Sequence, residues 1–548
     1  MENRVLLAFV LSLVVFVGWG YFLAEVQPPP EKITVPQKQA GKVQPTQPKA
    51  QPGGTSVAPA GSVLNKSLAE EALPVPGKVQ FPGTEVVVKV STGQAEMEFS
   101  SQGGTLRKIL LPQYHDDKGE VVNLVEHEGG DKWPLSLESS DPGITNILQN
   151  AYYEAPVQSL VLTESNPTEK LTFRLKHESG LEVVREFTFH HNSFMVDVET
   201  RINAPAFASQ NLQYWVLWGP SMGGKVESQT NYFVFSGATT FANNERIETP
   251  ADEITDVVHH RGDVQWTAFQ NKYFGVALIP VNGTKSSLVK KEGDRIYVGL
   301  DFEAVQSAVS ASHLIYAGTK QLQVLEASGH KLFRLMDYGW FGNKFAFLVK
   351  PLLKTLEFFH GITGNYGWSI IFLTIIIKLI FSPLTHKSFK SMKGMQKVQP
   401  YIKLIQERNK GDRQKINEEM LELYKKHKVN PLGGCLPMLL QIPVFIALYH
   451  ALFFSIELRG APFMGWIQDL SVSDPYYVTP ILMGVTMFLQ QRLSPQVGDP
   501  VQQKIMMFLP LVFTFLFMSF PSGLVIYWTV NNILTISQQY YIYKVAKD

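Results

Sequence analysis

Five apolar runs crowd the last third of the chain, at roughly residues 367–384, 436–456, 477–493, 505–520 and 524–541. Each approaches the roughly 20 residues that a helix needs to cross about 30 Å of hydrocarbon. The last two are parted only by Pro521-Ser522-Gly523, a turn tripeptide, and read as a hairpin of short helices rather than one long segment. A sixth run, residues 5–24, carries no charge and follows a short head containing Arg4. A cleaved signal peptide is the alternative there. The run is longer than a usual signal core, and the exit FLAEVQ lacks an A-x-A-like site, so it reads as an anchor. The expectation is a membrane protein of six transmembrane helices.

Residues 25–80 are rich in Pro, Gln, Lys, Ala and Gly without hydrophobic periodicity, which predicts a disordered linker. From 81 to 337 the pattern turns to period two. FMVDVETRI places Phe194, Val196, Val198 and Thr200 on one face, opposite Met195, Asp197 and Glu199. EVVVKV, KLTFRL and RIYVGL alternate similarly, with Ser179-Gly180 and Asn282-Gly283 as turns. Many short alternating strands predict a large antiparallel β-sandwich domain. Residues 338–365 follow. There Phe345, Leu348, Leu352, Leu356 and Phe359 recur at helical spacing opposite Lys350, Lys354 and Glu357, as in an amphipathic helix lying in the membrane interface, with a core-packed helix as the alternative.

The formal net charge of +1 hides a split. Residues 81–337 hold 21 Lys+Arg against 32 Asp+Glu, and residues 338–548 hold 21 against 11. The loop 387–431 has 12 Lys+Arg against 5 acidic residues, whereas 457–476 has only Arg459. Positive loops stay on the cytoplasmic side. That puts both termini in the cytoplasm and the acidic β domain in the periplasm, with residues 366–548 forming the membrane core. The single cysteine, Cys435, excludes an internal disulfide framework and any CxxC site.

Signs of enzymatic chemistry are weak. Gly219-Pro220-Ser221-Met222-Gly223 matches G-x-S-x-G formally, but GKVESQ has strand and turn character where a nucleophile elbow needs a helix. His190-His191 and His259-His260 lack the spacing of a metal site. Neither an enzyme activity nor a cofactor is expected.

The spans are more informative. In GWSIIFLTIIIKLIFSPLTH, Thr374, Lys378 and Ser382 recur at i, i+4 and i+8. Tyr527, Asn531, Thr535 and Gln538 form a matching stripe in the last run, beside Trp528 and Asn532. Gln441 precedes Pro443 in the second run of the block, and Thr486 and Gln490 are i, i+4 in the third. Such stripes face a bundle interior or a wet cavity. Snorkelling of Lys378 to the interface is the competing reading. In the basic loop, Met392, Met395, Val398, Ile402 and Ile405 step at helical intervals, as do Ile416, Met420 and Leu423. Two amphipathic helices in a hairpin follow, with Lys403, Arg408 and Arg413 as candidate contacts to RNA phosphates and the methionines to a nascent apolar segment. A merely solvated basic face is the alternative.

VNPLGGCLPMLLQIPVFIALYHAL, DPYYVTPILMGVTMF, QQKIMMFLP and FPSGLVIYW resemble the YidC/Oxa family of membrane protein insertases, in the form that carries a large periplasmic domain in Gram-negative bacteria. The resemblance implies a five-helix core around a hydrophilic groove, a periplasmic β-super-sandwich and a cytoplasmic helical hairpin. It implies insertion and folding of inner-membrane proteins. Nascent membrane proteins, the Sec translocon with its accessory subunits, the ribosome and signal-recognition pathway, and the lipid bilayer are the implied partners. The family's positive groove residue, usually arginine, falls on Lys378, which keeps the charge but loses the planar fork. The groove neighbours carry over to Thr374, Gln441, Tyr527 and Trp528, to which the polar stripes add Ser382 and Asn531. A solute transporter and a scaffold for membrane complexes are the rival functions.

Overall fold

The computed structural model describes residues 83–542, apart from 117, 130, 156–158, 211, 224–234, 306, 337, 339–344, 410–411, 428, 430–435 and 494–499. The expected anchor and linker lie outside the described residues.

Alternation holds as expected in EVVVKV, KLTFRL and FMVDVETRI, whereas RIYVGL, also read as alternating, is buried on both faces from Tyr297 to Leu300 because its sheet is covered on either side. One five-stranded sheet runs β4 (Val121–Asn123), β3 (Thr105–His115), β2 (Glu96–Ser100), β1 (Val87–Ser91), β6 (Ser159–Val161). A second runs β13 (Val257–His260), β16 (Thr284–Glu292), β17 (Arg295–Phe302), β10 (Tyr214–Trp218), β5 (Ser136–Ser139). The largest sheet runs β12 (Glu245–Thr249), β11 (Gly237–Ala242), β14 (Val264–Gln270), β15 (Phe274–Asn282), β19 (Ala308–Thr319), β9 (Met195–Asn203), β8 (Glu182–His190), β7 (Thr168–Lys176). The two-residue β18 (Ala304–Val305) flanks β19. In β9, Val196, Val198, Thr200 and Ile202 are buried and the intervening residues are not, which is the face read from the sequence. Gly180 and Gly283 both take positive φ, and a Cβ at Gly283 would stand 2.3 Å from the Ser310 carbonyl oxygen. One pair departs from the antiparallel rule: β1 and β6 run parallel. A parallel neighbour needs a crossover connection, and the chain between them supplies one, including α1 (Pro142–Asn150) capped by Asp141.

The helical region follows α2 (Leu322–Ala327). Its helices are α3 (Ala346–Thr363), α4 (Tyr366–Arg408), α5 (Arg413–His427), α6 (Leu436–Phe454), α7 (Val478–Leu493), α8 (Pro500–Phe517) and α9 (Ser522–Tyr540). The sequence predicts a span ending near 384 and a separate hairpin helix. The structure corrects this, because α4 continues unbroken through Pro383 and Pro400 to Arg408. Its 43 residues measure about 65 Å at 1.5 Å per residue. A change from apolar to basic residues ends a membrane span but does not end a helix, and α4 carries no stop signal until Asn409. By length and composition, α4 is the one helix among the described residues that is long and apolar enough to cross a membrane. The described apolar stretches of α6 and α8 are shorter, Gln441–Phe454 and Met506–Phe517, so the expected count of six spans is not reached on this criterion.

The β domain and the helices share a junction beyond the end of α6. Ile456 is buried within the β-domain core, while Leu322 and Tyr338 pack with Val349, Ala447, Phe453 and Phe454. Glu326 pairs with Lys350, and Gln323 donates to Glu357, fastening α2 to α3. Lys272, in the β14–β15 turn, is buried here with its ammonium 3.8 Å from the Phe453 ring centre. Burial, reinforced by Arg459, pushes its pKa down to about 7, with Asp469 opposing. An unfolded lysine titrates near 10.4, so from about pH 7 to about 10 the unfolded chain holds the extra proton and stability rises with pH. Each unit of displacement is worth roughly 1.4 kcal/mol. The thermal midpoint of the detergent-solubilised chain is therefore expected to gain from Lys272 across this window. Lys272→Met should remove that gain and raise the midpoint at pH 6. Identical profiles for the two proteins would show that Lys272 does not sense the junction.

Candidate functional site

The predicted polar stripes meet one another, and α9 is where they meet. Lys378 of α4 donates from Nζ to Thr535 Oγ1 of α9 at 2.7 Å. That hydroxyl donates onward to the Asn531 carbonyl at 2.6 Å, and the Asn531 side-chain oxygen accepts from Gln441 Nε2 of α6 at 3.0 Å. The Tyr527 hydroxyl, buried one turn earlier on α9, lies beside Gln441. One turn beyond Thr535, Gln538 donates to the carbonyl and hydroxyl oxygens of Ser382 at 3.3 Å each. On the other side of α9, Asn532 donates to Thr486 Oγ1 of α7 at 3.2 Å. A run of amide, hydroxyl and ammonium groups thus joins α4, α6, α7 and α9. Away from water each such group needs a partner, and here they supply one another.

No carboxylate pairs with Lys378 among the described residues, where its ammonium donates to a neutral hydroxyl. The charge is half-buried. Its amine points across to α9. That is a different disposition from a side chain stretched along its own helix toward the interface.

Two predicted groove residues sit elsewhere. Thr374 is fully buried, and its hydroxyl donates to the Ile370 carbonyl at 2.6 Å within α4. Trp528 packs among Phe445, Phe513 and Phe517, with ring centres 4.7, 6.0 and 5.1 Å away. Thr535 and Gln538 were visible as stripe members by their spacing, but nothing in the sequence identified them as the partners of Lys378 and Ser382.

Outward, α7 and the neighbouring α8 are apolar. Ile481, Val485 and Leu489 on α7 and Phe508, Leu511, Val512 and Phe515 on α8 are all exposed, Phe515 by 75%. A band of that size on a water-soluble surface would aggregate; against lipid it costs nothing.

The basic arm of α4 packs against α5. Met395 and Val398 are buried in this seam and Met392 is half-buried. Arg408 pairs with Glu419 at 2.5 Å, and the Tyr401 and His427 rings stack at 5.6 Å. Lys403 and Arg408 are exposed, Met395 is not, and the Arg413 side chain lies outside the described residues. The Ser221 hydroxyl donates to Glu126. No group of three or more metal-ligating side chains occurs among the described residues.

Two family models match the chain: a YidC periplasmic domain over residues 87–355 and a 60Kd inner membrane protein over residues 358–548. A membrane protein insertase YidC of Geobacter metallireducens is 39% identical over 99% of this chain and 98% of its own. That of Geobacter sulfurreducens is 38% identical over the same shares, and that of Syntrophus aciditrophicus 34% over the whole of both chains. The chain belongs to the YidC family. The periplasmic-domain model falls on the β domain with α2 and most of α3, and the second model on the remaining helices. The hydrogen-bonded run through Lys378, Thr535, Asn531 and Gln441 thus lies wholly in the part that this family shares as an inner-membrane protein.

Proposed function

We propose that this chain is a membrane protein insertase and foldase whose working surface is the polar run on α4, α6 and α9. The ammonium of Lys378, held on the neutral Thr535 hydroxyl with no carboxylate beside it among the described residues, carries this reading. A short hydrophilic tail of a substrate exchanges water for these amides, hydroxyls and one cation, and so avoids the full hydrocarbon thickness. Burial of the substrate's own apolar span in lipid then drives the process without covalent chemistry. Lys378 attracts acidic tail residues transiently, and Thr535 offers it a resting partner between substrates.

The topology that fits has six spans, α4, α6, α7, α8, α9 and residues 5–24, with a five-helix core. Both termini and the α4–α5 arm face the cytoplasm and the β domain faces the periplasm. The exposed Lys403 and Arg408 suit contact with the ribosome or the signal-recognition pathway on that side, and cooperation with the Sec translocon belongs to the same reading. Helix α3 lies in the interface, with Phe347, Phe358 and Ile362 exposed as an apolar stripe. Stalled nascent membrane proteins should crosslink to photoreactive residues placed at Ser382, Gln441 and Asn531, and not to one at Leu511 on the lipid side. Equal crosslinking at Leu511 and Gln441 would mean that substrates slide along the bundle surface instead.

A further inference from the structure

The inner face of the largest β sheet holds a charge where its pattern calls for a hydrocarbon. Along β8 the buried residues are Val183, Arg185, Phe187 and Phe189. Arg185 is fully buried, and no Asp or Glu pairs with it among the described residues. Its Nη1 donates to the carbonyls of Gly104 and Leu135, both at 2.8 Å, and more weakly to Gly103 at 3.4 Å. Among the described residues no group accepts from Nε or Nη2.

The neighbours on that face are also unmatched. Arg185 stands opposite Thr200 across the β8–β9 ladder, and Thr200 opposite Ala311 on β19. The adjacent row of the same face is Phe187, Val198 and His313. Thr200 and His313 are buried, and neither the Thr200 hydroxyl nor either His313 ring nitrogen has a partner among the described residues. Burial, with Arg185 adding to it, pushes His313 down to about 3, so the ring is neutral and one nitrogen is an N–H donor. Arg185 is lowered by burial to about 10 and stays cationic at neutral pH. The unmatched groups thus include four able to donate, two guanidinium nitrogens, a hydroxyl and an imidazole N–H, beside one bare imidazole nitrogen that only accepts.

We propose that this cluster is an internal anion site and that it takes chloride. Donors gathered around an unpaired buried cation are the complement of an anion, and hydrogen bonds to a charged partner are the strong ones. Water could meet the hydrogen bonds but would leave the guanidinium charge uncompensated. The surroundings select for size: the Phe187 ring centre lies 5.2 Å from the guanidinium carbon and the Phe302 ring 5.9 Å from His313. Ala311 contributes only a methyl to the row. With aromatic rings this close on both sides, a monatomic anion is favoured over a larger phosphate or carboxylate ligand.

The test is a long-wavelength anomalous difference map from crystals of the full chain grown in chloride. A peak within hydrogen-bonding reach of Arg185 Nε and Nη2 is expected. Density there without anomalous signal identifies a water and overturns the proposal, as does the lack of any density. In solution, the thermal midpoint should rise by about 3 °C for each tenfold increase in chloride above its dissociation constant, with gluconate replaced at constant ionic strength. Arg185→Met should abolish that dependence, and an equal rise in the variant would count against the site. If the variant does not fold, the anomalous map of the unsubstituted chain still decides.

Discussion

Lys378→Glu is expected to reduce insertion about tenfold, while Lys378→Arg stays near the parent level and Lys378→Met fails selectively. Tenfold corresponds to about 1.4 kcal/mol in the limiting barrier, a modest demand on a charge reversal where the effective dielectric is well below that of water. A glutamate would face the Thr535 oxygen, whose proton is already given to the Asn531 carbonyl, so it would find no donor there. It would also repel the acidic tails that the lysine attracts. Methionine keeps the length without the charge, so its defect should be largest for substrates with acidic translocated tails. The discriminating measurement is insertion of matched substrates with neutral and acidic tails into proteoliposomes bearing each variant. If Lys378→Met and Lys378→Glu match the parent on both tails, the lysine is an interface anchor and the polar run is structural. Thr535→Val adds a control: it removes the resting partner but not the charge, so acidic tails should still be preferred.

A large stability loss is expected at Gly484 in the membrane core. A Cβ built there stands 1.9 Å from Thr514 Oγ1 and 3.1 Å from Thr514 Cβ on the facing helix. The Thr514 hydroxyl donates to the Pro510 carbonyl at 2.7 Å, so its rotamer is tied and it cannot swing aside freely. Close approach of α7 and α8 through a small residue is how helices gain dispersion contact in lipid, where no hydrophobic effect drives them together. Gly484→Ala forces the helices apart, at a cost of about 3 kcal/mol. Thr514→Ala removes the obstructing oxygen, so the double variant should recover most of that loss. A Cβ at Gly361 in α3 meets nothing within 4 Å, so Gly361→Ala is the neutral control. Thermal unfolding of the purified chain in detergent measures all four. Equal midpoints for Gly484→Ala and Gly361→Ala would show that α7 and α8 do not pack through this glycine.

Much of the architecture was legible because periodicity is a local property. Alternation in FMVDVETRI fixes which side chains of β9 share a face whatever strand lies beside it, and the buried set is the predicted one. The apolar runs at 436–456, 477–493 and 524–541 became α6, α7 and α9, whereas the break between α8 and α9 falls at residues 518–521, with Pro521 as the N-cap and Ser522 and Gly523 already helical. The i, i+4 spacing likewise put Lys378 and Ser382 on one line and Asn531 and Thr535 on another. What spacing cannot give is the partner. Whether Lys378 meets Thr535, snorkels or finds a carboxylate depends on how α4 crosses α9, and residues 157 positions apart set that contact. Trp528 has the same local credentials as Asn531, yet the rotation of α9 turns it into a nest of phenylalanines. The continuity of α4 was hidden because prolines and a run of lysines look like a boundary, whereas a helix ends only where its backbone bonds stop. Arg185 shows the division most clearly. Its inward position in the strand pattern is written in the sequence. That a charge can live there is decided by the carbonyls of Gly104 and Leu135, brought from 81 and 50 residues away to satisfy part of what burial takes from it.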